Sequence, residues 1–138
     1  MQPVPSAQTI CGLLPGTGAR PRARVLFVHS DPDLREVVTR VLEREGYLID
    51  AVPHSGHALL RCRTTRFDAL IAELSGPDLS GPALTDQVRR HCPAIAPLYL
   101  GAPGALDRIE NLLVRPFTRD ELLERLDAAA RRGRALPA

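Results

Sequence analysis

The side chains that most often carry chemistry are few and widely spaced in this chain of 138 residues. His54 and His57 have an HxxH spacing that would suit a metal, but exposed loop and helix-end positions are the simpler interpretation. Cys11, Cys62 and Cys92 form no CxxC pair, so a zinc site or a disulfide framework has little support. We therefore predict that the chain holds no metal and no cofactor.

Motifs for covalent catalysis or nucleotide binding are also missing from the sequence. Ser30 and Ser80 lack the G-x-S-x-G spacing of a hydrolase nucleophile. No glycine-rich phosphate loop follows the first apolar run of the chain. Because no nucleophile and base can be paired by motif, we predict that the chain is not an enzyme.

The residues with the best claim to a common site are those that follow short apolar runs. The runs lie at 25–28, 69–72, 98–100 and 112–114, and each reads as a buried strand. They are followed by His29-Ser30-Asp31, by Glu73, by Gly101 and by Arg115. In a parallel sheet the carboxyl ends of the strands meet at one edge, where ligands bind. We therefore predict that any chemistry lies within this set.

Helical patterns alternate with these runs and predict the fold. Asp31-Pro32 starts a helix that Gly46 ends, and further helices begin at Ser55, near Leu84 and at Thr118. A strand over 47–52 completes the series. Strands that alternate with helices indicate βαβ units, so we predict an α/β, flavodoxin-like, doubly wound parallel sheet of five strands in the order 2-1-3-4-5.

One helix of this pattern has little room. Thirteen residues separate Gly101 from Arg115, whereas an average helix of ~11 residues and a strand of ~5 already need more. Pro103 and Gly104 shorten the usable stretch further. We predict a fourth helix that is reduced to about Leu106–Asn111 or missing.

The composition divides the chain into a body and two ends. Four prolines and three glycines predict a flexible tail over 1–23, the folded domain is expected over 24–132, and 133–138 form a second tail. Residues 1–24 and residues 131–138 each carry three arginines and no acid, while residues 25–130 carry a net charge of −4. This distribution is a poor match to a nucleic-acid binder. We also predict no membrane span, no secretory signal and a reducing, cytoplasmic location.

The same residues carry a resemblance to a known family. The motifs VLFVHSDPDLREVVTRVLEREGY, FDALIAELSGPDLSG, LYLGAP and VRPFTRDELLERL resemble a bacterial response-regulator receiver domain over about residues 24–132. The resemblance implies a phosphoryl-accepting Asp after the third strand and two acids after the first strand that hold Mg²⁺. It also implies a Thr or Ser after the fourth strand and a Lys before the Pro-Phe.

The chain departs from the family at each of those positions. His29-Ser30 replaces the acidic pair, Glu73 the phosphoacceptor and Gly101 the hydroxyl residue, and Arg115 replaces the Lys. Of the acids at the first strand end, Asp31 alone remains. Because Mg²⁺ requires oxygen ligands in near-octahedral geometry, we predict no specific Mg²⁺ site. The resemblance then implies a degenerate phosphorylation pocket made of these six residues.

Three interpretations of Glu73 remain open in the sequence. We favour a static ion pair with Arg115, since Arg binds carboxylates through a rigid two-pronged fork. Imitation of a phosphorylated Asp is the second. A transition-metal site formed with His29 and Asp31 is the third, although nothing in the spacing demands it.

These observations predict a non-catalytic pseudo-receiver that binds another protein in bacterial signalling or localisation, independently of phosphorylation. The alternative is a working receiver with an atypical phosphoacceptor or a small-ligand site. The partner-binding face is predicted around 102–114 and the closing helix, with Arg119 and Arg125 as contacts. A homodimer stays open, and no nucleic-acid partner is expected.

Overall fold

The computed structural model describes residues 22–102 and 111–135. Strands and helices alternate along these residues. The strands are β1 (Arg24–Val28), β2 (Leu48–Val52), β3 (Ala69–Glu73), β4 (Ala96–Gly101) and β5 (Leu112–Val114). The helices are α1 (Pro32–Arg44), α2 (Ser55–Thr64), α3 (Gly81–Val88) and α4 (Arg119–Ala135).

The five strands form one parallel sheet in the order β2-β1-β3-β4-β5. This is the predicted 2-1-3-4-5 order, so the fold prediction is confirmed. Parallel strands need a crossover between them, and the helices that follow β1, β2 and β3 provide it. The order reverses next to β1, so the ends of β1 and β3 flank the point where ligands bind in such sheets.

Two apolar layers, one on each face of the sheet, hold the helices. On one face Val25 and Phe27 of β1 pack with Leu42 of α1 and Leu126 of α4. On the other face the alternate residues of the same strand pack with α2 and α3. Both faces of β1 are thus buried, which is why its sequence is an unbroken apolar run.

Helix caps follow the sequence closely. The Asp31 carboxylate accepts hydrogen bonds from the backbone N–H groups of Asp33 and Leu34 at the start of α1. Gly46, at a φ of 95°, turns the chain after that helix. Thr118 and Glu121 bond to each other's backbone N–H groups at 3.0 and 2.8 Å, so the predicted capping box before α4 is confirmed.

The ends of the domain differ slightly from the predicted pattern. Helix α4 continues to Ala135, beyond the expected end at 132, because Gly133 lets it pass close to the backbone of Asp68. At the other end Ala23 is already part of the core. Residues 1–21 of the tail predicted over 1–23, and residues 106–110 of the reduced helix predicted over 106–111, lie outside the described residues.

Two free thiols meet where α2 packs near the end of α3. Cys62 and Cys92 are both buried, and the Cys92 Sγ donates to the Thr65 carbonyl at 3.7 Å. Burial raises the pKa of Cys62 to about 12, and the adjacent Cys92 adds to the rise. The Cys62 thiol is therefore protonated at neutral pH, and both buried side chains act as apolar packing groups.

No helix within 22–102 or 111–135 is long and apolar enough to cross a bilayer.

Candidate functional site

The site begins with a contact between the ends of β1 and β3. One oxygen of the Glu73 carboxylate accepts the Ser30 backbone N–H at 2.9 Å. The other accepts the Ser30 hydroxyl at 3.2 Å. Each carboxylate oxygen therefore has a donor from the same residue, and Glu73 joins the two strand ends on either side of the switch point.

His29 lies beneath this contact and is almost fully buried, with 4% of its surface exposed. Its Nδ1 accepts the Asp31 backbone N–H at 3.0 Å. A neutral imidazole that accepts at Nδ1 carries its proton on Nε2, which lies 3.9 Å from Glu73 Oε2. The N–H group of the His29 ring is therefore the one nearest to the Glu73 carboxylate.

The surroundings of His29 favour its neutral form. Burial lowers its pKa below the ordinary 6.5, the charge of Glu73 opposes that shift, and the charge of Arg115 adds to it. Protonation would also place a second proton on Nδ1, opposite the Asp31 N–H. The contact with Glu73 is thus not an ion pair at neutral pH.

The lowered pKa predicts a pH-dependent stability. Because the unfolded chain binds a proton on His29 at a higher pH than the fold does, stability is fully present above pH 6.5 and falls as the pH drops below it. We expect His29→Asn, which keeps an acceptor at the δ position but does not titrate, to reduce this loss. The measurement is urea unfolding at two pH values, one on each side of 6.5, for both proteins.

The matched control for this comparison changes an exposed histidine. His91→Asn, which alters a surface side chain, should keep the wild-type difference between the two pH values. A wild-type slope that survives in His29→Asn would contradict the assignment.

The predicted ion pair between Glu73 and Arg115 is wrong. Among the ion pairs of the described residues, none joins these two side chains. Ser30 takes both oxygens of Glu73 instead, while Arg115 lines a groove between α1 and α4. Glu73 is thus bound by Ser30, which follows β1, and not by Arg115, which follows β5.

Gly101 and Asp31 complete the edge of the sheet. Gly101 ends β4, its carbonyl accepts the Arg115 N–H at 3.0 Å, and it has no side chain that could donate to a ligand. The Asp31 carboxylate is engaged as the α1 cap. The described residues hold no group of three or more His, Cys, Asp or Glu side chains arranged to bind a metal ion. The residues predicted for the pocket do lie at one edge of the sheet. There the Ser30 N–H and hydroxyl donate hydrogen bonds to the two oxygens of Glu73.

The two arginines predicted as partner contacts differ in their surroundings. The Arg125 guanidinium donates to the Leu112 carbonyl at 2.9 Å, so it fastens α4 to β5. Arg119 is exposed and forms an ion pair with Glu45. A charge reversal at Arg125 would therefore remove a contact between α4 and β5, whereas one at Arg119 would affect only its ion pair with Glu45.

A stability comparison tests this distinction. We expect Arg125→Ala to lower the free energy of unfolding by about 1–2 kcal/mol, since a part-buried carbonyl loses a charged donor. Arg119→Ala is expected to cost under about 1 kcal/mol, as for other exposed pairs. Chemical denaturation of both variants provides the measurement, and equal losses would refute the assignment of Arg125 to the fold.

Comparison with solved structures agrees with this geometry. The signal receiver domain of an HD-domain protein from Pseudomonas fluorescens Pf-5 superposes with a TM-score of 0.74 at 20% identity, covering 86% of this chain and 100% of that one. The Vibrio cholerae chemotaxis protein CheY4 gives a TM-score of 0.70 at 23% identity, covering 80% and 99%. The fold is that of a receiver domain.

Sequence relatives lead to the same class. The chain is 32% identical to the transcriptional regulatory protein TcrA of Mycobacterium tuberculosis over 131 residues, which are 89% of this chain and 49% of that protein. It is 32% identical to the two-component response regulator PhoP of Pseudomonas aeruginosa over 117 residues, 79% of this chain and 52% of that protein. No family model matches the sequence. The chain belongs to the response-regulator receiver domains, and it spans about half the length of these relatives.

One further polar contact was not anticipated from the sequence. The Tyr99 hydroxyl and the Thr85 hydroxyl lie 2.8 Å apart in the interior and share a hydrogen bond between β4 and α3. Tyr99 was assigned to a strand, and Thr85 falls on the predicted third helix, but no local spacing connects them. Only the packing of α3 on the sheet brings the two hydroxyls together.

Proposed function

We propose that this domain is a pseudo-receiver, a non-catalytic protein-binding module in bacterial signalling or localisation that works without phosphorylation. The observation that carries the proposal is the pairing of Glu73 with Ser30. It occupies the place where the family's phosphoacceptor and metal would meet.

The donors around Glu73 are unsuited to a cation. Mg²⁺ needs several oxygen ligands, whereas Ser30 presents an N–H and a hydroxyl that both point their protons at the carboxylate. The neighbouring His29 is neutral and buried. A magnesium ion would have to break both Ser30 bonds and would gain only one carboxylate in return.

Phosphoryl transfer is disfavoured for the same reasons. The charge that develops on a transferring phosphoryl group is normally neutralised by a metal and by fixed donors. Gly101 has no hydroxyl to offer, and the extra methylene of Glu73 displaces its oxygens from the position of an Asp. Errors of about 1 Å in such geometry cost about a hundredfold in rate.

The thiol pair supports a cytoplasmic site of action. Cys62 and Cys92 are in contact yet free, and such pairs are kept reduced in the cytosol. A protein partner, with no nucleic acid, is part of the proposal, and Arg119 is the residue we assign to its binding.

The experiment is incubation of the full chain with acetyl phosphate and Mg²⁺, followed by intact-mass spectrometry. We expect no phosphoryl adduct on the wild type. The matched comparison is the double variant Ser30→Asp, Glu73→Asp, which removes the Ser30 hydroxyl donor, places an Asp at both positions and should gain a base-labile adduct.

Two outcomes would overturn the proposal. A base-labile adduct mapped to Glu73 of the wild type would favour a working receiver with an atypical acceptor. An acid-labile adduct on His29 would indicate a different phosphoacceptor chemistry. Either would remove the claim that the domain acts without phosphorylation.

A further inference from the structure

An apolar groove lies between α1 and α4, next to the candidate site, and Arg115 is one of its lining residues. Its volume is about 590 Å³, and Leu34, Val37, Val41, Phe117 and Leu122 are among the residues that line it. Val37 is 58% exposed, and it lies within the apolar lining of the groove, so it belongs to a contiguous apolar patch of the kind that marks an interaction site.

The apolar residues of α1 at this groove have the spacing of a helix-pairing seam. Leu34, Val37 and Val41 are separated by three and then four residues, as the a, d and a positions of a heptad are. Val38 and Leu42 are buried in the protein's own core, so they do not belong to the seam. One stripe of α1 thus holds the domain together. In the next stripe Leu34 is partly buried against the same core, whereas Val37 is exposed beside the groove.

Charges beside the seam select the orientation of a partner helix. Asp33 and Arg40 are both exposed, lie one heptad apart at successive g positions and have opposite signs. In an antiparallel pair of identical helices, g positions face each other, so Asp33 of each copy meets Arg40 of the other. A parallel pair would set g against e, but the e position is Val38, which is buried.

We propose that this surface binds a second copy of the chain, with the two α1 helices antiparallel about a two-fold axis near Val37. A self-complementary surface must carry both halves of each contact on one face. Here the protruding Val37 and the groove that receives it are adjacent, and both charges of the flanking pair lie on α1. The Glu36–Arg40 pair at 3.4 Å is exposed, so exchanging it for an intermolecular pair costs little.

The first test measures the oligomeric state of the full chain. Sedimentation velocity over a range of concentrations is expected to show a monomer–dimer equilibrium. Val37→Glu should raise the dimer dissociation constant by more than about tenfold, because a charge would enter the apolar groove. Leu60→Glu is the matched control, since Leu60 is 57% exposed on α2, on the opposite face of the sheet, and it should leave the dimer unchanged.

The second test addresses the orientation. Arg40→Asp and Asp33→Arg should each weaken the dimer, because each creates two like-charge contacts across the axis. The double variant Asp33→Arg, Arg40→Asp restores opposite charges and should recover most of the wild-type affinity. Recovery separates the pairing from simple damage to α1, which two substitutions would only increase.

Three results would overturn the proposal. The first is a wild type that stays monomeric at the highest concentration. The second is a dimer that Leu60→Glu breaks and Val37→Glu does not. The third is a monomer whose groove instead binds a helix of another protein, revealed by a purified complex that is lost in Val37→Glu.

Discussion

Gly81→Ala is expected to lower the free energy of unfolding by about 2–3 kcal/mol, the cost typical of an overpacked interior. A Cβ at Gly81 would lie 2.4 Å from Cδ1 of Tyr99 and 2.9 Å from the Glu73 carbonyl oxygen. Neither neighbour can move freely, because one is backbone of β3 and the other is buried and bonded to Thr85. The first turn of α3 must therefore shift away from the sheet, immediately beside the candidate site.

The measurement is urea or guanidinium unfolding, with Gly56→Ala as the control. A Cβ at Gly56 would come no closer than 3.4 Å to any neighbour, the His54 Nδ1 atom being the nearest. Both glycines lie in the first turn of a helix, so the effect of helix propensity is similar in the two variants. Equal stability of the two variants would show that the close contact at Gly81 relaxes at no cost.

Gly133→Ala should destabilise the protein by a similar amount, about 3 kcal/mol, although it replaces a glycine inside a helix. Helix propensity alone would favour Ala by about 1 kcal/mol. A Cβ at this position would lie 2.2 Å from the Asp68 carbonyl oxygen and 3.1 Å from that of Ala94. Both contacts are to backbone, so either α4 tilts away from the sheet or its last turns unwind.

An exposed position of the same helix calibrates this prediction. Ala128→Gly alters an exposed residue of α4 and should cost about 1 kcal/mol from propensity alone. Gly133→Ala and Ala128→Gly are reverse substitutions, but both are expected to lower the free energy of unfolding. An increase in stability for Gly133→Ala would mean that α4 does not press on the Asp68 loop.

The elements of the fold could be predicted because their signals are local or strictly periodic. The run 25–28 is apolar at every position because both faces of β1 are covered. Asp31 and Gly46 mark the limits of α1 through the backbone requirements of a helix cap and a left-handed turn. The positions of the pocket residues followed from the rule that parallel strands end at one edge.

The contacts within the pocket could not be predicted in the same way. Arg115 was paired with Glu73 because the charges matched, but charge does not reveal which side chain can reach. Ser30 lies two residues beyond the end of β1, where its N–H and hydroxyl both donate to the carboxylate. A neutral residue with two donors at the right distance replaced a cation from a strand farther along the sheet.

The rate at which the thiols of Cys62 and Cys92 are alkylated can be used to measure how firmly α2 is packed against α3. Alkylating reagents attack the thiolate, and a pKa of about 12 leaves roughly one Cys62 in ten thousand ionised at pH 8. Burial removes most of the remaining access. In a Cys11→Ser background, the labelling rate of the native protein therefore reports how often this side of the domain opens, because an opened segment regains an ordinary thiol. The alkylation rate of the buried thiols thus measures local unfolding of this side of the domain without an added fluorescent label.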